Sequence, residues 1–413
     1  MTAPLALATA DEVCRFLADD VPRLLASELA TVLPRGTGPV RARVTRAKLK
    51  PGRKLTVSAD VTGDGIRHPP ATATWEAEEG MRVLVAPADP GFPRLPDLYD
   101  PTRLADVLED AVPGRFGPDL TVTPLRYRPG QRHVLLVESA DGRDRLYAKC
   151  SRDDAGRRAV AVRGVVADAL SRGDGSARVA RGAGYVASHR VALWDGHPGR
   201  VMSELVSGPP TGAVPVARLA GAAIRSVHDV RDPLPEPGRD GRDGRDGRTD
   251  PAAEAASTRR ALEHVVALAP SLAARVEWLL DTTLADLLSG PDERGHLVHG
   301  DLKCDNVLVD RGRLCLLDLD RVTTGDPALD LGKLTADLRW WARGGGTAAE
   351  VLVGAVLEGY GRCPPARLRR AHLYDVLFQL RAVGRRVPLH EPGWADAVEA
   401  AVSSAESTHR SPR

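Results

Sequence analysis

The chain has 413 residues, 43% of them hydrophobic and 27% charged, with a formal net charge of +2. That length supports two or three lobes with cores of their own, and near-neutral charge gives no global drive towards nucleic acid or a membrane surface. Five scattered cysteines without a C-x-x-C pair fit reduced thiols, the opening MTAPLALATADEV lacks a basic start, and no apolar run approaches a membrane span. The expectation is a cytoplasmic protein, monomer or homodimer, with no nucleic-acid or membrane partner.

Residues 11–33 carry helical periodicity through Val13, Phe16, Leu17, Leu24, Leu25 and Leu29, with Pro22 interrupting it. Short strands follow at 40–47, 55–61, 71–75 and 81–86. The proline-rich stretch from Asp89 to Pro96 reads as an extended connector, and 102–111 as a short helix capped by Asp100 or Thr102. Next comes a three-strand meander, 120–127, 133–138 and 146–150, whose first turn contains Pro129-Gly130. Lys50-Pro51-Gly52-Arg53-Lys54 echoes Arg128-Pro129-Gly130-Gln131-Arg132, each between strands. The echo is either a duplication or the recurrence of a common turn, and its first copy has no lysine where Lys149 would fall.

Residues 153–171 read as a helix without any glutamate, and 217–230 as another with His228 near its end. The run RDGRDGRDGR (239–248) cannot bury an apolar face and reads as a flexible surface loop. Helices resume at 252–268 and 272–288. From His296 the chain forms a polar loop, a strand at 307–309, a tight turn at Asp310-Arg311-Gly312-Arg313 and a return strand at 314–317. Four helices complete the chain, at 334–343, 348–361, 366–385 and 394–404.

The hairpin carries the chemistry. Asp301 and Asn306 precede its first strand and Asp318 ends its second, so antiparallel pairing brings three oxygen-bearing side chains together. Phosphoryl transfer needs such convergence, because a metal must be held on hard oxygens while another carboxylate orients the attacking hydroxyl. The spacing His299-x-Asp301-x-x-x-x-Asn306, then Asp318, Gly325-Asp326-Pro327 and Asp330-Leu331, resembles the aminoglycoside phosphotransferase and choline kinase branch of the protein-kinase-like superfamily.

The resemblance implies an α+β, protein-kinase-like two-lobed fold, with a small β-rich N-lobe and a larger helical C-lobe. An extra N-terminal α/β capping region would span 1–95, the N-lobe 96–206 and the C-lobe 207–413. It implies ATP as phosphoryl donor, with GTP not excluded, and Mg²⁺. Asp301 would act as base and Lys303 would lie near the transferring group. Asn306 and Asp318 would hold the metal, with Asp320 a further contact if the strand continues. Lys149 would bridge the α- and β-phosphates beneath the Gly130 turn. Backbone groups around Ser203 and Leu205 would read the base in a linker at 201–208. His299, Asp326 and Asp330 would brace the loop. The family's helix supplies a glutamate to the strand lysine; here Asp168 or Asp154 would have to substitute.

The acceptor is expected to be a small hydroxylated molecule. Arg362, Arg367, Arg369, Arg370, Arg381, Arg385 and Arg386 outnumber Asp375 in the helical wall, which favours a neutral or anionic acceptor over a polycation. A protein kinase is the second reading, opposed by the missing Gly-rich loop and Ala-Pro-Glu segment. A nucleotide-binding protein with lost activity is the third, opposed by the joint presence of Asp301, Asn306 and Asp318.

Overall fold

The computed structural model describes residues 9–33, 38–173, 175–180, 182–235, 250–291 and 293–411. The low-complexity run 239–248 therefore lies outside the described residues. The chain forms two compact units: Met1–Arg152 with Ala261–Val276 and Val383–Ala401, and Asp153–Arg260 with Glu277–Ala382 and Val402–Arg413. These units differ from three consecutive segments, because residues 1–95 and the meander share one of them.

In the first unit the N-terminal helix starts at Thr9, whose hydroxyl accepts from Glu12 N (3.2 Å) while the Glu12 carboxylate accepts from Thr9 N (3.1 Å). It is not broken at Pro22. The turn before the proline, Phe16–Asp20, widens into a π-helical turn, and Val21–Val32 continues the helix. Val13, Leu17, Val21, Leu25 and Leu29, four residues apart, are all buried. An antiparallel sheet follows in sequence order: Val40–Lys50, Lys54–Gly63, Ile66–Glu76 and Gly80–Val85. Alternation in its second strand puts Leu55, Val57, Ala59 and Val61 in the core.

The connector is not simply extended. Ala86–Ala88 forms a 3-10 turn and Leu95–Tyr99 a short helix, before Pro101–Glu109 begins at Asp100, whose carboxylate accepts from Thr102 N and Arg103 N. The meander then runs Leu120–Arg128, Arg132–Ser139 and Arg145–Ser151.

The second unit opens with Ala155–Ser171 and a hairpin, Gly182–Val186 with Val191–Asp195. The stretch expected to be a linker is a helical turn, Met202–Val206, in which the Ser203 carbonyl accepts from Ser207 N and the Leu205 carbonyl from Gly208 N. Pro210–His228 and Ala349–Tyr360 pack backbone to backbone. A Cβ on Gly221 would fall 2.0 Å from Val356 O, and one on Gly359 would fall 1.8 Å from Arg218 O. The hairpin Val307–Asp310 and Arg313–Leu316 turns through Arg311 and Gly312, both at positive φ. It lies in a four-stranded sheet with Arg200–Val201 and Ala177–Val179. Among the described residues no helix is long and apolar enough to cross a membrane.

Candidate active site

The loop from His299 to Asn306 is held from below by two buried carboxylates, Asp337, which accepts from Cys304 N (2.8 Å), and Asp330. Asp330, 1% exposed, accepts from His299 N (2.6 Å) and Gly300 N (2.9 Å). Gly300 sits at φ +72°, and a Cβ there would meet Arg321 O at 2.5 Å, so only glycine fits. Asp301 N donates to His299 Nδ1 (3.3 Å), which assigns the proton to Nε2, and Nε2 donates to Leu317 O (2.9 Å). His228 lies beneath, between Tyr360 Oη (2.9 Å) and Asp330 (3.4 Å). His299 and Asp330 thus lie within the loop's hydrogen-bond network, whereas Asp326 accepts from Ala328 N (2.9 Å) and pairs with Arg370 (2.7 Å).

Asp301 has a partner that the sequence reading did not name. Lys333 Nζ, three residues beyond Asp330 on the helix Ala328–Ala342, lies 2.6 Å from Asp301 Oδ1 and donates to Gly300 O at 3.2 Å. Burial alone would raise the Asp301 pKa, but Lys333, then Lys303 and Arg321, hold it well below the usual carboxylate range. The carboxylate is thus ionised and fixed through one oxygen. Farther out, Glu254 joins Arg321 (2.6 Å) and Arg381 (2.5 Å), and Arg381 Nε donates to Thr258 (3.0 Å).

Asn306 donates its amide to Asp301 O (2.9 Å), which ties the two ends of the loop together and leaves its side-chain carbonyl oxygen for a cation. Leu317 N donates to Asn306 O (2.8 Å), bringing the end of the second strand alongside. There Asp318 adopts a left-handed conformation, φ 54° and ψ 55°. The chain then turns through the 3-10 segment Leu319–Arg321, so Asp320 does not continue a strand and does not share a strand face with Asp318. Asn306 and Asp318 offer hard oxygens that fit Mg²⁺, an ion that keeps several waters and takes few protein ligands. Among the described residues no group of three or more His, Cys, Asp or Glu side chains is built to hold a metal.

The helix Ala155–Ser171 carries Arg163 where a glutamate would have been informative. Arg163 is 4% exposed, stacks 3.9 Å over Trp194 and donates to Ala180 O (3.2 Å). Burial lowers its pKa to about 10, opposed chiefly by the field of Asp320. Asp168 lies on the exposed face, and Asp154 accepts from Tyr185 Oη (2.7 Å) near the start of the helix.

In the first unit Lys149 stands opposite Val134, on the same face of the meander as Arg126, Arg128 and Arg132. The Gly130 N–H is donated to Asp89 (2.7 Å). Asp89, 3% exposed, also accepts from Gly91 N (2.9 Å) and lies 3.3 Å from His133 Nε2. The Gly130 turn is therefore anchored by the connector.

Three of the seven arginines expected to give the wall its charge are paired within the protein. Arg367 pairs with Glu293, Arg370 with Asp326 and Arg381 with Glu254, all three buried at 6% exposure or less. The periodicity that sends some of them outward misses this, because their carboxylates come from distant elements.

A loop that fixes an ionised carboxylate near two further oxygen-bearing side chains is compatible with phosphoryl transfer to a hydroxyl. Residues 126–373 match the phosphotransferase enzyme family (APH), and the chain belongs to that family. It is a kinase acting on an alcohol group. Among solved structures it resembles a choline/ethanolamine kinase family protein from Mesorhizobium loti, at 18% identity and TM-score 0.50, over 76% of this chain and 96% of that one. It also resembles spectinomycin phosphotransferase APH(9)-Ia in complex with ADP and spectinomycin, at 12% and 0.50, over 74% and 98%. A third is APH(2")-IIia with GDP and kanamycin, at 13% and 0.51, over 74% and 98%. At these identities the likeness is one of fold. No curated protein sequence matches the chain.

Proposed function

We propose that this protein transfers the γ-phosphoryl group of ATP to a hydroxyl of a sugar, amino alcohol or natural product. Asp301 receives and orients the hydroxyl through the carboxylate oxygen that Lys333 does not hold, and takes its proton as the bond to phosphorus forms. Asn306 and Asp318 hold Mg²⁺, which when bound offsets the charge of the triphosphate. Lys303 stands near the transferring group and Lys149 near the α- and β-phosphates. Neighbouring folds carry ADP in one case and GDP in another, so both ATP and GTP are the donors to assay. The observation that carries this reading is the Asp301–Lys333 pair, which keeps the carboxylate ionised and aimed.

The acceptor is neutral or anionic. Lys333, Arg321 and Arg381 surround Asp301 and Glu254, so a polycationic antibiotic finds Asp301 and Glu254 already paired. Nucleoside diphosphate release across a panel of sugars, amino alcohols and antibiotics tests this. Asp301→Ala should lower turnover by roughly 10²–10⁴-fold while nucleotide binding persists. Asp318→Asn should weaken Mg²⁺-dependent nucleotide binding and Asp320→Asn should not. Unchanged turnover in Asp301→Ala, or a kcat/KM far higher for kanamycin than for neutral acceptors, refutes the corresponding part.

A further inference from the structure

Among the ions around Asp301, Arg321 keeps donors to spare. It packs directly on the loop: a Cβ on Gly300, the residue before Asp301, would fall 2.5 Å from Arg321 O and 3.2 Å from Arg321 Cβ. The side chain then runs to Glu254 of the helix Pro251–Leu268, where Nη2 donates to Oε1 at 2.6 Å. Among the described residues Glu254 is its one hydrogen-bond partner, so Nε and Nη1 are uncommitted. The Arg321 side chain is 35% exposed, against 6% for Glu254.

The neighbouring ions are used differently. Arg381, 4% exposed, gives Nη1 to the Glu254 carboxylate, Nη2 to the Glu254 carbonyl and Nε to Thr258. Lys333 is committed to Asp301 and to Gly300 O. Asp330, another acid whose field reaches Arg321, accepts from the His299 and Gly300 amides with both oxygens. Arg321 is thus a second cation on a carboxylate that one cation already neutralises. Burial opposes its charge, and the fields of Glu254 and then Asp301 favour it. An arginine with a purely internal role would be expected to spend its donors as Arg381 does, since a buried N–H without a partner carries a desolvation cost. A half-open guanidinium with spare N–H groups beside Asp301 has instead the form of half an ion pair, ready for an oxyanion.

We infer that Arg321 binds the acceptor, and that the acceptor carries an anionic group, a carboxylate or a phosphate monoester, near the hydroxyl that Asp301 receives. The inference rests on the phosphotransfer reading for that hydroxyl and narrows its neutral or anionic acceptor to an anionic one. Because Arg321 packs on the residue before Asp301, both groups fall within the span of one small molecule, such as a hydroxy acid, a sugar acid or a sugar phosphate.

Initial-rate kinetics of the full chain on two acceptor series test it: glycerol, glycerate and glycerol 3-phosphate, and glucose, glucuronate and glucose 6-phosphate. Binding of each is followed by isothermal titration. Wild type should favour the charged members by kcat/KM, the acids leading where the group is a carboxylate and the esters where it is a phosphate. Arg321→Gln should raise KM for the charged members roughly ten- to hundredfold and leave KM for ATP and for neutral members within about twofold. A purely structural role would lower activity on all members alike. Arg321→Lys keeps a charge against Glu254, so it reports where Arg321→Gln fails to fold, and it should move the same KM values in the same direction by a smaller factor. Arg259→Gln, on the same helix as Glu254 but paired with Asp281 at the surface (2.6 Å), should change none of them. No wild-type preference for charged members, no binding of any of them, a rise in KM for ATP in place of the acceptor, or equal losses on charged and neutral members in Arg321→Lys overturns the inference. Charged members that bind through Arg321 yet are never phosphorylated would leave it standing and refute the phosphotransfer reading.

Discussion

The loop around Asp301 and the hairpins around Lys48 and Arg128 treat charge in opposite ways. In the first, each named ion is met within the protein: Asp301 by Lys333, Asp326 by Arg370, Glu254 by Arg321 and Arg381. In the second, strand register sets Lys50 opposite Lys54 and Arg128 opposite Arg132. A group that must keep one orientation through every turnover is best held by a permanent partner, because low-dielectric pairing fixes direction as well as charge.

Breaking the internally paired side should be the more damaging. Lys333→Met leaves the half-buried Asp301 carboxylate without its partner, and removing one partner costs about 3–5 kcal/mol where such a pair is fully buried. Denaturant unfolding should register that loss, and Lys333→Met combined with Asp301→Leu should recover much of it. Lys48→Gln, in contrast, should change stability by no more than about 0.5 kcal/mol.

Acid gives the next largest effect. Burial would raise the pKa of Glu254, but Arg381 and then Arg321 bring it down from 4.5 to about 2. A carboxyl whose folded pKa is depressed stabilises the fold fully above its unfolded value, and loses that contribution as pH falls through the folded one. Between about pH 4.5 and 2 the protein should lose roughly 3 kcal/mol from this group. Glu254→Gln should be less stable at neutral pH and flatter across that window, as read by thermal unfolding against pH.

The smallest effect sharpens the contrast within the first unit. Asp89→Ala removes the acceptor shared by Gly130 N, Gly91 N and His133, and should cost about 1–3 kcal/mol. Hydrogen exchange should show the Gly130 amide exchanging faster, with the neighbouring Arg53 amide at the first turn unaffected.

The legible part of the site was the part written locally. Asp301, Asn306 and Asp318 fall at fixed offsets around a short hairpin whose turn, Arg311-Gly312, announces itself in composition. Their supports were not legible, because they arrive from far along the chain. Lys333 reaches Asp301 from a helix one strand pair later, Glu254 meets Arg381 across 127 positions, and Asp89 reaches Gly130 across 41. Local signals also misled where backbone geometry had two solutions. Pro22 suggested an interruption and the helix absorbed it with a wider turn. The stretch 201–208 reads as a linker by resemblance alone, with no local signal for its conformation, and Met202–Val206 is helical. The Pro-Gly echo was visible as letters, and strand register gave it meaning by setting like charges opposite each other at both turns.

Asp318 has a further consequence. Its left-handed backbone is one that glycine adopts without strain and other residues adopt at some expense in free energy, aspartate less than most. Selection for heat tolerance without an activity screen would be expected to move this position towards glycine, which relieves the backbone and removes the carboxylate.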